Sequence, residues 1–266
     1  MEQPPEKVLI MKPTPRLQCK KISLEFRSVS ALIEVDFAVF DKSILAIIGP
    51  NGAGKSSLLN CISGFYTPSR GEILFEERDI TKLPPRKRAA LGVSRTFQNV
   101  ELFPGMTSLD NILAGRQVHM KTNFVQSMLY WPWAIREENK HREVAEEIIE
   151  FLEIESIRNS IVSSLGYGMR KRVDLGRALA MGPKILMLDE PMAGMNVEEK
   201  EDMARFILDI RTEKGIPIII IEHDMEVVMD ISDRIVVLEW GRVIAEGTPE
   251  SIRSNPKVVN AYLGEG

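Results

Sequence analysis

Cysteine is almost missing from this 266-residue chain: only Cys19 and Cys61 occur, with neither metal-ligand spacing nor a disulfide framework. A reducing compartment and two buried thiols are expected. Long hydrophobic runs are missing as well. The longest, such as ILAII and IPIII, fall far short of the ~18 apolar residues that a membrane span needs, so a membrane role is expected to come through a partner. The opening residues, MEQPPEKVLIMKPTPR, lack an apolar stretch followed by a small-residue cleavage site; residues 1–15 are expected to form a flexible proline-rich tail, not a signal peptide. Neither sign of charge dominates. A net charge of -4 gives no overall pull toward nucleic acid, and none is expected as a partner, although PPRKR at 84–88 and Arg170, Lys171 and Arg172 form local basic clusters. No internal repeat or low-complexity tract interrupts the chain.

What remains is an ordinary globular composition, 44% hydrophobic, large enough for one domain with an inserted lobe or for two small domains. ISLEF (22–26) and IEVDFAVF (33–40) alternate apolar and polar residues, as half-exposed antiparallel strands do. SILAII (43–48) is continuous and apolar, a strand buried on both faces, and it feeds a glycine-rich loop and the helical KSSLLNCIS, closed by Gly64. GEILF (71–75) predicts another strand, and LPPRKRAALG a turn, a short helix and a stop. Between about 107 and 182 the pattern is mostly helical. Strands return as KILMLDE, IPIIIIEHD and RIVVLEWGRVIAEG, separated by the helical VEEKEDMARFILDIRTEKG. Strands, then helices, then strands imply an α/β core with an inserted helical lobe.

Several stretches carry chemistry. GPNGAGKS (49–56) fits G-x-x-x-x-G-K-[ST]: Gly49, Pro50, Asn51, Gly52, Ala53 and Gly54 form a loop whose backbone N–H groups can surround phosphate oxygens. Lys55 reaches the β and γ phosphates, the Ser56 hydroxyl can hold Mg²⁺, and Ser57 continues the site into the helix. ILMLDE (185–190) ends an apolar strand in two carboxylates. Asp189 is placed to bind Mg²⁺ and Glu190 to polarise an attacking water; without a phosphate loop such a pair would read as a solvated turn. His223, at the end of another buried run, would ordinarily be structural, but a strand beside the nucleotide favours a catalytic part; His119 and His141 read as bland. Gln98, in RTFQNVELFPGMT, leaves the strand-rich core just before the helical lobe, and spacing alone leaves a solvated loop and a functional amide equally open. LGYGMRKR (165–172) puts two glycines at a helix start and follows them with three cations, which the helix dipole disfavours; a negatively charged visitor would explain both.

Taken in order, GPNGAGKS, TFQ, LGYGMRKRVDLGRAL, ILMLDEP, GMN and IIEHD resemble the phosphate loop, Q-loop, signature, Walker B, D-loop and H-loop of ABC-transporter ATPases. IIGPNGAGKSSLLNCISGFYTPSRGEI, RTFQNVELFPGMTSLDNIL and the ending NPKVVNAYLGEG further resemble the ATP-binding subunit of bacterial branched-chain amino-acid importers. The resemblance implies a single ABC ATPase domain over 16–266: a RecA-like P-loop NTPase core, an antiparallel β subdomain, and a helical subdomain over about 107–182. It implies ATP and Mg²⁺ as cofactors, a role for Gln98 at the metal and the reacting centre, and a head-to-tail dimer with a second ATPase subunit, the same or a related chain. Each signature, through Gly166, Tyr167 and Gly168, would touch the γ phosphate held by the other subunit. Two membrane permease subunits, an external solute-binding protein acting indirectly, and the cytoplasmic face of the bacterial inner membrane complete the picture. Phe26 would stack on adenine, with core packing as the other reading, whereas Phe37 and Phe40 read as packing residues. The chain departs from L-S-G-G-Q at Gly166, Tyr167 and Met169, and has Asn196 for the usual D-loop aspartate. A soluble assembly ATPase, as in iron–sulfur assembly machines, is the alternative; a nucleic-acid-associated cassette would usually carry two cassettes or a long coiled coil. The aromatic FVQSMLYWPWAIR (124–136) favours local packing over a membrane surface, since Pro132 breaks it and its basic content is low; a transporter-facing surface is the better functional alternative.

Overall fold

The computed structural model describes residues 14–27, 29–119 and 132–263. The chain opens with two antiparallel strands, β1 (Leu17–Phe26) and β2 (Val29–Val39), and then enters β3 (Ile44–Ile48) and α1 (Lys55–Ser63). β4 (Arg70–Phe75), β5 (Arg78–Asp79), α2 (Pro85–Leu91) and the short β6 (Val93–Arg95) follow. Next come the helices α3 (Ser108–Gly115), α4 (Pro132–Phe151) and α5 (Tyr167–Ala180). The last part runs through β7 (Ile185–Asp189), α6 (Val197–Thr212), β8 (Ile218–Ile221), α7 (Met225–Ile231), the hairpin β9 (Arg234–Glu239) and β10 (Arg242–Gly247), α8 (Pro249–Arg253) and α9 (Pro256–Leu263).

Two sheets result. One is antiparallel, in the order β2-β1-β4-β5; the other has six strands in the order β10-β9-β3-β8-β7-β6, parallel except for β10. The continuous apolar runs become the central strands because both their faces are covered. Along β3, Ile44, Ala46 and Ile48 pack into a core shared with residues of α3 to α7, while Leu45 and Ile47 face α1 and the antiparallel sheet. β7 and β8 divide in the same way, Leu186, Leu188, Ile218 and Ile220 to one side and Ile185, Met187, Ile219 and Ile221 to the other. A period of two on a doubly covered sheet therefore produces unbroken hydrophobic sequence. Phe37 is buried, and the Phe40 ring lies under the guanidinium of Arg234.

Parallel strands put their carboxyl ends on one edge, and the loops leaving that edge make the natural ligand crevice of an open α/β sheet. Across the edge, in sheet order, lie the turn after β9, the glycine-rich loop after β3, Glu222 and His223 after β8, Glu190 after β7, and Thr96 to Gln98 after β6. The antiparallel sheet covers one flank, and β2 is hydrogen-bonded to the turn after β9 through Ile33 N–H to Gly241 O at 2.8 Å.

Candidate functional site

α1 begins at the end of the glycine-rich loop. Gly54, its N-cap, has φ 102°, and a Cβ there would come 2.6 Å from the carbonyl oxygen of Ala31, so glycine is required both for the left-handed backbone and for the close approach. No acidic side chain occupies the first turn of α1, which leaves its N–H groups and the positive end of its dipole directed at the loop. Lys55 is buried in that first turn, and its Nζ donates to the carbonyl oxygens of Gly49 at 2.6 Å and Pro50 at 3.0 Å. Ser56 and Ser57 line the same cleft of about 510 Å³, together with Asn51 to Gly54, Val29 to Ala31, Gln98, Glu190, His223, Trp240 and Gly241.

At one end three elements converge on a single carboxylate. Gln98 Nε2 donates to Glu190 Oε2 at 2.8 Å, and His223 Nε2 lies 2.6 Å from Glu190 Oε1. Glu190 has φ 49°, a left-handed conformation that is strained for a non-glycine residue. Its backbone is held on both sides: its N–H donates to Ile221 O at 2.9 Å, and its carbonyl accepts from the ammonium of Lys171 at 2.8 Å. Beneath it, Asp189 Oδ2 accepts from Arg95 Nη2 at 2.8 Å, while Asp189 Oδ1 is buried with no hydrogen-bond partner. Glu222 is buried too; its carboxylate accepts from the backbone N–H groups of Met192 and His223, and burial pushes its pKa above the ordinary glutamate value.

These parts, a phosphate-sized loop on a helix N-terminus and a carboxylate, amide and imidazole meeting beside it, are those of a nucleoside-triphosphate hydrolase. Residues 32–193 match the ABC transporter family, and residues 242–266 match a family described as branched-chain amino acid ATP-binding cassette transporter. The chain belongs to the ABC transporter family. It is 41% identical over 251 residues, 94% of this chain and 98% of the relative, to the high-affinity branched-chain amino acid transport ATP-binding protein BraF of Pseudomonas aeruginosa. The high-affinity branched-chain amino acid transport ATP-binding protein LivG of Escherichia coli strain K12 is 39% identical over the same shares of the two chains. Among solved structures, an ATP-binding cassette of an ABC transporter in its ADP conformation matches with a TM-score of 0.83 at 35% identity, covering 94% of this chain and 99% of that one. A nucleotide-free cassette matches with a TM-score of 0.82 at 34% identity and the same coverage. The fold is thus that of a P-loop ABC ATPase, with the antiparallel sheet and the helices expected of it.

Within this ABC ATPase the signature residues stand apart from the cleft. Gly166 is the exposed N-cap of α5, Tyr167 is exposed, and Gly168 is buried against Glu199. The helix tip at Gly166 and Tyr167 is open to solvent. The cations that follow are used internally instead: Lys171 bonds the carbonyls of Glu190 and of Gln98 (3.2 Å), and Arg172 pairs with Asp202. An intramolecular frame, rather than a visiting anion, accounts for those two charges. PPRKR is likewise partly internal. Arg88 is almost fully buried and donates to the carbonyl oxygens of Cys61, Ile62, Thr81 and Leu83, the first two ending α1. Its guanidinium satisfies acceptors that the helix end would otherwise leave orphaned.

Asn196 caps α6, its side chain accepting from Glu199 N–H at 2.9 Å and Glu199 reciprocating. His119 and Arg116 bind the carbonyls of Met181 and Ala180 at the end of α5, and His141 accepts from Arg116. Phe26 lies outside the residues lining the cleft; its ring meets Tyr66 edge-on at 5.1 Å. Most of the aromatic 124–136 segment falls outside the described residues. Sequence reasoning does not single out Lys171 and Arg95 as site residues, because residue type alone does not distinguish a buried cation from a solvated one. The period-3.6 placement of Lys171 on the apolar side of α5 was the only signal available.

Proposed function

We propose that this chain is the ATP-hydrolysing subunit of an importer for branched-chain amino acids. It would work as a head-to-tail dimer, with itself or a related chain, on two membrane permease subunits at the cytoplasmic face of the cell membrane. A solute-binding protein outside would act through those permeases. The relatives' names support the solute class. Among the described residues no helix is long and apolar enough to cross a membrane, which is consistent with attachment through partners. The observation that carries the catalytic part is the meeting of Gln98 and His223 on the Glu190 carboxylate beside the phosphate loop.

In this reading the loop amides and Lys55 hold the β and γ phosphates, and the Glu190 carboxylate orients a water against the γ phosphorus. As the water oxygen bonds to phosphorus and the bond to the β–γ bridging oxygen breaks, the water proton passes to Glu190. His223 Nε2 holds that carboxylate until nucleotide is bound and would then turn to the γ phosphate; Gln98 ties Glu190 to the loop after β6. Asp189 and Ser56, with Gln98, are the residues that would hold Mg²⁺, and the buried, unpaired Oδ1 of Asp189 is a donor atom suited to a hard cation. When bound, the ion supplies positive charge to the phosphate oxygens. Gly166, Tyr167 and Gly168 would close on the partner's nucleotide, and the helical region over about 107–182 would face the permeases.

The Glu190→Gln variant should bind MgATP, release phosphate at least a hundredfold more slowly, and accumulate a closed dimer by light scattering. Wild-type turnover would remove Glu190 from this role. Gentle purification should bring down two hydrophobic permease subunits. A solute-binding protein loaded with leucine, isoleucine or valine should then stimulate the ATPase. Recovery of soluble assembly proteins in their place would overturn the importer reading.

A further inference from the structure

Side chains alternate along β6 and β7, and the register of these parallel strands puts Arg95 opposite Met187. Met187 packs on the side of α1 and the antiparallel sheet, and Asp189, two residues further on, shares that side. There Arg95 and Asp189 meet as an ion pair, Nη2 to Oδ2 at 2.8 Å, with only 7% and 4% of the two side chains exposed. The rest of the guanidinium is engaged as well. Arg95 Nη1 donates to Asn60 Oδ1 at 2.7 Å and to Ser63 Oγ at 3.1 Å, both on α1. The Ser63 hydroxyl donates to Leu59 O, so its oxygen is left to accept from the arginine. Over the Phe97 ring the guanidinium carbon lies 5.1 Å from the centroid.

These contacts reach the three segments that contain Asp189, Ser56 and Gln98. Ser56, Asn60 and Ser63 stand at i, i+4 and i+7, one stripe of α1, and Phe97 directly precedes Gln98. Stability alone gives no reason for the arrangement. A buried ion pair gains little over apolar residues of similar volume. This one also leaves a polar atom on each partner, Arg95 Nε and Asp189 Oδ1, buried without a hydrogen bond. What the pair supplies is direction: the guanidinium is fixed by α1 and in turn fixes Oδ2, so the carboxylate cannot rotate and Oδ1 remains its free oxygen.

We propose that Arg95 is a positioning residue for the magnesium nucleotide, locking the Asp189 carboxylate to the helix that begins at the phosphate loop. The inference rests on the nucleotide-hydrolase reading above, with Asp189 as a residue that holds the metal. Removing a partner that orients a metal-binding carboxylate lowers metal affinity about 10- to 100-fold. The measurement is calorimetric titration of the full chain with ATP, once in excess Mg²⁺ and once in EDTA; the ratio of the two affinities is the contribution of magnesium. Arg95→Met should lower that ratio about tenfold and keep the affinity in EDTA within about twofold. Arg95→Lys, which retains the charge without the fork that reaches α1 and Asp189 together, should recover part of the loss. Asp189→Asn should remove the same contribution, and adding Arg95→Met to it should cost nothing further. Equal weakening in magnesium and in EDTA would make Arg95 a purely structural residue. An unchanged or larger ratio in Arg95→Met, or a further loss in the double variant, would likewise overturn the assignment. A full magnesium contribution in Asp189→Asn would instead remove Asp189 from the metal, and wild-type protein that takes up no ATP would remove the nucleotide reading itself.

Discussion

At the scale of single residues, Lys171 illustrates how a charge can be placed for internal use. It projects from α5, is buried, and bonds backbone carbonyls of two loops at the cleft, those of Gln98 and Glu190. Burial lowers its pKa, and the carboxylates of Asp174, Glu222, Glu190 and Asp189 oppose that shift. One ammonium thus fixes the strained backbone of Glu190 relative to α5. Lys171→Met is expected to keep MgATP affinity within about twofold and to lower kcat about tenfold, the equivalent of roughly 1.4 kcal/mol of misplacement. Lys171→Gln, which retains a donor, should recover part of the rate. Equal losses in affinity and rate, measured by nucleotide titration and phosphate release, would make Lys171 a purely structural residue. The neighbouring signals differ in legibility: Glu190 and His223 end apolar runs and gain weight from the phosphate loop in the same sequence, whereas Lys171 and Arg95 acquire meaning only from strands far away in sequence.

At the scale of elements, helix ends decide what each segment can bind. The N-terminus of α1 is kept free of acidic side chains for phosphate, and its C-terminus is closed by Gly64 and by Arg88 from α2. Removing Arg88 would strand several buried carbonyl oxygens. Arg88→Met should cost about 3 kcal/mol, lowering Tm by roughly 6–12 °C in a thermal melt; a shift under about 2 °C would show that water replaces the guanidinium. The start of α5 offers a complementary test. Gly166 has φ -59° and ψ 159°, and a Cβ there would touch nothing within 4 Å, so a serine fits without strain. Gly166→Ser in the Glu190→Gln background should tighten ATP-driven dimerisation about tenfold, the value of one hydrogen bond to a charged group. Unchanged or weaker association by light scattering would mean that the hydroxyl faces away from the partner. Elements with strong periodicity or glycine punctuation, such as β3, α1 and α6, were legible in the sequence. The three residues of β6 and the short α7, α8 and α9 were not, because their stability comes from the sheet edge and the neighbours they cover rather than from local propensity.

At the scale of the whole molecule, order in the sheet differs from order in the chain. β3, which leads into the phosphate loop, pairs with β8 through Ile44 and Ile218 and with β9 through Leu45 and Arg234. Both neighbours come from the last part of the sequence, so the strand stays unflanked until nearly all of the chain is available, and such distant pairings are slow to form. During translation the glycine-rich loop therefore emerges long before the walls that give it shape. A ribosome that has finished α6 has already released every residue from Gly49 to Ser57, yet its product still lacks both β-partners of the strand behind them. A chain that stops after α6 is therefore expected to take up no MgATP, because neither flank of the strand behind the phosphate loop is present.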